Sequence, residues 1–244
     1  MRMRKKKNGT ARLLACDDII MKSPAEPLSD PASVFGREGA PVFLEIGAGK
    51  GGFACKMAQR NPDACYIAME RVSDCVVLAA EKAKEMGAPV CDNLRFIVES
   101  ADNLSFIFEN GTVDRLFLNF SDPWSKKGYA KRRLTHRRYL ALYFNLLKDG
   151  GSLTFKTDNV GLFDFSLEEI ESLGLRCEIV TRDLHASEYD SDNIRTEYEE
   201  AFSSQGIKIN MLRVVKPEGF SPQIPTELSR SRLVYKKETV ESGV

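Results

Sequence analysis

A glycine-rich turn between two apolar runs restricts what this chain can fold into. Val42-Phe43-Leu44-Glu45-Ile46 leads into Gly47-Ala48-Gly49-Lys50-Gly51-Gly52, and residues compatible with a helix follow from Phe53 to Arg60. A second apolar run, Cys65-Tyr66-Ile67-Ala68-Met69, ends on Glu70. Short runs rich in β-branched and aromatic residues, separated by a glycine turn and one helical segment, predict a βαβ unit and hence a parallel sheet. The turn then sits at the carboxyl ends of the strands, where open α/β sheets bind ligands. Side chains there would block the tight turn and a ligand's approach to the N–H groups at the helix start. Glu70, 18 residues beyond Gly52, lies where a carboxylate can accept the hydroxyls of an adenosine ribose.

The glycines alone do not select a ligand. Gly47, Gly49 and Gly52 satisfy the GxGxxG pattern of NAD or FAD binders. The same residues, read from Glu45 to Gly51, satisfy the acidic glycine loop of S-adenosylmethionine-dependent methyltransferases. Glu45 favours the second reading. A carboxylate on a strand that is otherwise apolar is costly unless it has a task. Facing the methionine ammonium of an adenosyl cofactor is such a task, whereas a pyrophosphate would be repelled.

At 244 residues with 43% hydrophobic and 29% charged content, the chain suits one soluble α/β domain. No apolar run is long enough for a membrane span, and nothing behind Met1 reads as a signal peptide. Six scattered cysteines without a CxxC pair read as reduced residues of a cytoplasmic protein. Two histidines, His136 and His185, make histidine catalysis and metal binding improbable choices, so no metal is expected. The net charge is zero but segregated. Residues 1–16 carry six cations and no acid, and residues 123–148 carry eight (Lys126, Lys127, Lys131, Arg132, Arg133, Arg137, Arg138, Lys148) and no acid. Two such stretches are an electrostatic footprint of phosphate-backbone binding.

Taken in order, residues 1–38 are expected to form a basic N-terminal arm, 39–216 the catalytic domain and 217–244 a polar tail. Val72 to Met86 predicts an amphipathic helix ended by Gly87 and Pro89, and Leu94 to Val98 a third strand. At its carboxyl edge stand Ser100, Ala101 and Asp102, which would receive an adenine. Val113 to Phe120 is the fourth strand, stopped by Ser121-Asp122-Pro123-Trp124 because proline cannot donate to a sheet. Asp122 and Trp124 thus fall beside the reactive end of the cofactor, where a ring can stack on a planar base and a carboxylate can accept its N–H groups. A helix over Thr135–Leu147 capped by Thr135, strands over 152–156, 175–180 and 208–215, and a helix over 162–173 complete the pattern. Gly150 and Gly151 would turn the chain into the fifth strand. The long segment between the last two strands, with Thr196-Glu197-Tyr198-Glu199, is longer than an idle loop needs to be.

These residues resemble the bacterial tRNA (guanine-N7)-methyltransferases over roughly residues 40–215. The resemblance is carried by Leu118-Asn119-Phe120-Ser121-Asp122-Pro123-Trp124 with Lys126-Lys127 and Lys131-Arg132-Arg133-Leu134-Thr135, by Phe155-Lys156-Thr157-Asp158-Asn159, and by Thr196-Glu197-Tyr198-Glu199. It implies a Rossmann-like class I methyltransferase fold, a mostly parallel seven-stranded sheet with helices on both faces. It further implies S-adenosyl-L-methionine as cofactor, contacted by Glu45, Glu70 and Asp122, and tRNA as substrate, contacted by Lys126, Asp158 and Thr196 to Glu199. The variable-loop guanosine is the family's usual target, and a monomer or homodimer is expected. Ser100, Ser125 and Tyr129 stand where the family often has Asp, Pro and His.

Guanine N7 carries an in-plane lone pair and is unprotonated near neutral pH, so its methylation requires no general base. Alignment of the reacting atoms can supply roughly 7 kcal/mol. Charge develops on the purine, so a carboxylate beside it stabilises the transition state more than the ground state. Asp122 or Asp158, with Glu197 or Glu199, is expected to accept N1–H and N2–H, while Lys126 and the run after it hold the RNA backbone. Two other readings are a nucleic-acid amino-nitrogen methyltransferase, from a partial (D/N/S)PP(Y/F/W) motif with one proline, and a nicotinamide-dependent dehydrogenase.

Overall fold

The structure, a computed structural model, describes residues 8–225 and Leu228. Its centre is a seven-stranded sheet of β1 (Val42–Ile46), β2 (Cys65–Glu70), β3 (Leu94–Val98), β4 (Val113–Asn119), β5 (Leu147–Thr157), β6 (Ile179–Thr181) and β7 (Asn210–Val215). The spatial order is β3-β2-β1-β4-β5-β7-β6. The first five strands are parallel, with Leu44 opposite both Ile67 and Leu116, and β7 runs antiparallel between β5 and β6. The parallel strands therefore end on one rim, at Ile46, Glu70, Val98, Asn119 and Thr157.

Eight helices accompany the sheet among the described residues: α1 (Gly9–Leu14), α2 (Gly52–Arg60), α3 (Ser73–Met86), α4 (Val90–Asn93), α5 (Leu104–Ile107), α6 (Arg137–Leu146), α7 (Val160–Ser172) and α8 (Glu197–Ser203). Every residue of β1 is buried because helices cover both of its faces. Leu44 and Ile46 join Leu140, Tyr143, Phe144 and Phe163 of α6 and α7 on one face. Phe43 points the other way, to Phe53, Met57 and Ala58 of α2 and Val76, Ala79 and Ala80 of α3. Gly51 explains how close α2 and α3 sit. Its φ is +72°, and a Cβ there would lie 2.6 Å from the Ala79 Cβ.

The predicted elements shift at several ends. The fifth strand begins at Leu147, and Gly150 and Gly151 lie inside it at a register break, where β4 pairs first Val113 with Leu147 and then Arg115 with Ser152. A Cβ on Gly151 would meet the Lys148 carbonyl at 2.8 Å, so the bulge excludes a side chain there. The cap of α6 is His136, whose Nδ1 accepts the Arg138 N–H at 3.2 Å. Thr135, expected in that role, is buried with its hydroxyl accepting from Ser166 of α7. The sixth strand is only Ile179–Thr181, and α7 starts at Val160 behind an Asn159 cap.

The described part of the N-terminal arm is docked. Met21 N–H donates to Phe96 O at 2.8 Å, Leu28 N–H to Ile107 O at 2.9 Å, and Cys16, Ile19 and Ala32 are buried. Arg12 is paired with Glu81 at 2.6 Å. Arg2, Arg4, Lys5, Lys6 and Lys7 lie outside the described residues. Beyond β7, Lys216 donates to Leu147 O and Phe220 packs edge-on against Phe144, so residues 217–225 extend the domain rather than leave it. No described helix is long and apolar enough to cross a membrane.

Candidate active site

The glycine turn is preset for a ligand. Gly47 and Gly49 have φ of +80° and +55°, and a Cβ at Gly49 would meet nothing within 4 Å. Both oxygens of Glu70 are anchored: Oε2 accepts Gly49 N–H at 3.0 Å and Oε1 accepts Val72 N–H at 2.9 Å. Each carboxylate oxygen has a second lone pair, so Glu70 can still accept hydroxyls from the rim.

Glu45 is 2% exposed. Its Oε1 accepts Asn119 Nδ2 at 2.9 Å, and the Tyr66 hydroxyl approaches Oε2 at 3.4 Å. Burial pushes its carboxyl up to about 7, against the pull of Asn119 and the Lys156 charge. Asn119 Oδ1, beside it at the end of β4, and Ser121 Oγ, two residues further on, are buried without a hydrogen-bond partner. An orphaned acceptor next to a carboxyl suits an incoming cation with N–H donors.

The tryptophan turn stands on the same rim. Phe120 and Trp124 have φ of +50° and +40°, a conformation costing bulky residues about 1–3 kcal/mol each. Surrounding contacts hold it. Phe120 N–H donates to Lys156 O at 2.9 Å, and Arg133 donates to Pro123 O at 3.0 Å and Trp124 O at 3.2 Å. The Arg132 guanidinium lies 5.1 Å from the Trp124 ring centroid and 4.7 Å from that of Tyr129. Asp122, exposed, is 3.9 Å from Arg71, the residue after Glu70. Leu134, which follows the basic run, is the nearest atom to a Cβ built at Gly47, at 3.9 Å.

The eight-cation patch divides in two. Lys126, Lys127, Lys131 and Arg132 are exposed. Arg133 pins the tryptophan turn, Arg137 pairs with Glu169 at 2.8 Å, and Arg138 reaches Asp102 and Tyr139. Lys148 pairs with Asp114, whose carboxylate also accepts Val42 N–H at the start of β1, the edge opposite the rim. Asp102 is likewise committed, accepting from Tyr139 Oη at 2.9 Å and from Ser100 Oγ at 3.0 Å. Ala101 is buried beside it.

Residues 184–203 form a strap across the sheet face between β7 and α2. Tyr198 is 45% exposed, stacks on Phe202 at 4.2 Å and tilts against Phe120 at 4.9 Å. Its hydroxyl is pushed up by partial burial and then by the charge of Asp158, which stands half-buried at the end of β5. Glu197 pairs with Lys82, and a Cβ at Gly52 would lie 3.2 Å from its carboxylate. Glu199 and Thr196, expected to touch substrate, are both buried. Thr196 accepts Glu199 N–H at 2.9 Å in a capping box, and Glu199 is 0% exposed, paired with Lys156 at 2.7 Å and with His185 at 2.9 Å. A side chain so enclosed orders the strap from within. Lys156, His185 and Asn193, which the sequence does not single out as site residues, surround the Glu199 carboxylate. A lysine inside the buried alternation Leu153-Thr154-Phe155-Lys156 was the available signal.

A family model described as "Putative methyltransferase" matches residues 39–212. The tRNA (guanine-N(7)-)-methyltransferase of Lachnoclostridium phytofermentans is 43% identical over 204 residues, 84% of this chain and 94% of that protein. The chain belongs to the tRNA (guanine-N7)-methyltransferase family. Solved structures that resemble it include the 16S rRNA methyltransferase KamB, with TM-score 0.57 at 12% identity over 78% of this chain and 95% of that one. A 16S rRNA (adenine(1408)-N(1))-methyltransferase from Catenulisporales acidiphilia gives 0.55 at 15% identity over 79% and 92%. At such identities the likeness concerns the fold, a class I methyltransferase sheet with β7 reversed.

The family's cofactor, S-adenosylmethionine, fits the residues present. The side-chain-free surface at Gly47 and Gly49 leaves room for it, and the orphaned Asn119 oxygen beside Glu45 suits its ammonium.

Proposed function

We propose that this chain methylates N7 of a tRNA guanosine, with S-adenosylmethionine as methyl donor. The observation that carries the reading is the shared rim: the glycine turn, the tryptophan turn and the end of β5 stand on one edge of the sheet, in a chain 43% identical to a tRNA (guanine-N(7)-)-methyltransferase. The cofactor supplies an electrophilic methyl on a sulfonium. Glu45 receives its ammonium, Glu70 its ribose hydroxyls, and Ser100 and Ala101 its adenine, with Asp122 closing over it from the tryptophan turn.

On the substrate side the exposed Tyr198 ring offers a stacking face, and Asp158 accepts N1–H or N2–H of guanine. Its carboxylate then faces the positive charge that methylation leaves on the purine. No side chain has to remove a proton, since N7 attacks with its own lone pair. Lys126, Lys127, Lys131 and Arg132 hold the backbone around the flipped or loop-borne base. Glu197, tied to Lys82, borders the pocket from α8. The place of action is the cytoplasm, where tRNA is modified.

The test is incubation of the purified chain with unmodified tRNA transcript and methyl-labelled cofactor, followed by nucleoside analysis. Label in 7-methylguanosine is expected. Label in an exocyclic-amino-methylated nucleoside would instead favour amino-nitrogen chemistry.

A further inference from the structure

Lys156 is the place where the substrate-side elements meet. It is 2% exposed, near the end of β5. Its Nζ makes three hydrogen bonds, all to the strap: Glu199 Oε2 at 2.7 Å, Asn193 Oδ1 at 2.9 Å and Ile194 O at 2.9 Å. Its methylene stem leads this ammonium past the Phe53 ring of α2, at 5.1 Å from the centroid. Its own carbonyl accepts Phe120 N–H, the first residue of the tryptophan turn. Two residues on stands Asp158. Tyr198, one residue before Glu199, packs on Phe120.

Three further ion pairs tie the strap to α2 and α3: Arg60 to Asp192, Lys56 to Glu200 and Lys82 to Glu197. All are largely exposed, and exposed pairs constrain geometry weakly. The Lys156–Glu199 pair has side chains 3% and 0% exposed, with the acid also held by Asn193 and His185. A buried pair with its hydrogen bonds satisfied specifies one arrangement of the segments it joins.

We propose that Lys156 is a positioning residue for the tRNA substrate: its ammonium latches the strap to β5, fixing Tyr198 against Phe120 and opposite Asp158. It touches neither cofactor nor base. The substrate is taken from the tRNA (guanine-N7) reading above, whereas the latch itself is a property of this chain's fold.

The test uses the full chain carrying Lys156→Met together with Glu199→Gln, which removes both buried charges and avoids stranding one. Lys156→Met alone serves as the harsher comparison. Cofactor affinity is measured by calorimetry at a pH well above the Glu45 titration, so that loss of the Lys156 charge does not act through that carboxyl, and is expected to stay within about twofold. The kcat/KM for tRNA is expected to fall about a hundredfold, the scale of a 1 Å misplacement. Amide hydrogens of residues 193–203, followed without RNA, are expected to exchange at least about tenfold faster while those of β1 and β2 do not change. A double variant with kcat/KM for tRNA within about threefold of the parent, or with unchanged strap exchange, overturns the latch. Equal losses of cofactor and tRNA binding overturn it too, because Lys156 would then act through Glu45. Should the parent chain methylate no tRNA guanosine, the substrate reading fails on its own, and the exchange measurement still decides the latch.

Discussion

The two halves of the rim are built by different means. The cofactor half, Glu45 to Glu70, is assembled from backbone: glycines at positive φ, main-chain N–H groups on Glu70, and a carboxyl hydrogen-bonded to the neighbouring strands. The substrate half is assembled from side chains far apart in sequence. Lys156 meets Glu199 across 43 positions, Lys82 meets Glu197 across 115, and Arg60 meets Asp192 across 132. A rim made of local backbone holds its ligand in a fixed pose, whereas one made of long-range pairs can be tuned without touching the sheet. Variants that separate cofactor binding from substrate turnover test that division.

The largest separation is expected at Asp158. Asp158→Asn keeps the shape and removes the charge that the proposed function sets against the methylated purine, so kcat should fall by about 10²–10³. Cofactor affinity should hold. Equal loss of both in stopped-flow and calorimetric measurements would break the division at its strongest point.

Within the cofactor half, Gly51 and Gly49 should fail differently. Gly51→Ala pushes a methyl to 2.6 Å from Ala79 and forces alanine into a left-handed conformation, so unfolding free energy should drop by about 3–4 kcal/mol. At Gly49 the surroundings are open. Gly49→Ala should lose only about 1–2 kcal/mol of stability while weakening cofactor binding by a larger factor, because the methyl takes space the ligand needs. Denaturant titrations beside binding isotherms distinguish the two.

Glu45 makes the comparison pH-dependent. Its folded carboxyl titrates at about 7 against an ordinary 4.5, so the neutral form is the one folding favours. Stability from this group is therefore complete below about 4.5 and is lost as pH rises through 7, a decline on the order of 2–3 kcal/mol for a group so buried. Cofactor binding should run the other way. An ammonium prefers the ionised acid, so affinity should rise between pH 6 and 8. In Glu45→Gln both slopes should flatten; a persisting affinity slope would remove Glu45 from the cofactor site, and a persisting stability slope would assign that titration to another group.

The same contrast explains what could be read from the sequence. The βαβ unit, the rim and the carboxylates at Glu45 and Glu70 follow from spacing within thirty residues, because strand and turn geometry fix them locally. The contiguous Thr196-Glu197-Tyr198-Glu199 motif reads in sequence as one set of substrate contacts. The fold splits it, since successive helical side chains point in different directions: Tyr198 faces out and Glu199 in. The basic run was divided for a similar reason. Which cations are free for phosphate depends on whether Glu169, Asp102 or Asp114 is near, and those partners come from other elements.

That division of the basic run yields the smallest effect and the finest test. Lys126 is exposed at the tryptophan turn, whereas Arg137 spends its guanidinium on the Glu169 carboxylate beside the start of α6. Lys126→Ala should therefore weaken tRNA binding by only about 1 kcal/mol at moderate salt, and reduce the log–log salt slope by about 0.7–0.9, the release of one phosphate's counterions. Its thermal midpoint should not move. Arg137→Ala should do the opposite, leaving the salt slope intact while lowering stability, because Glu169 is buried and would lose its principal partner. Salt-titrated filter binding and thermal melts on the two variants read both quantities. If Arg137→Ala flattened the slope as Lys126→Ala does, α6 would have to present its N-terminus to RNA, and the substrate half would extend further round the domain than the exposed run implies.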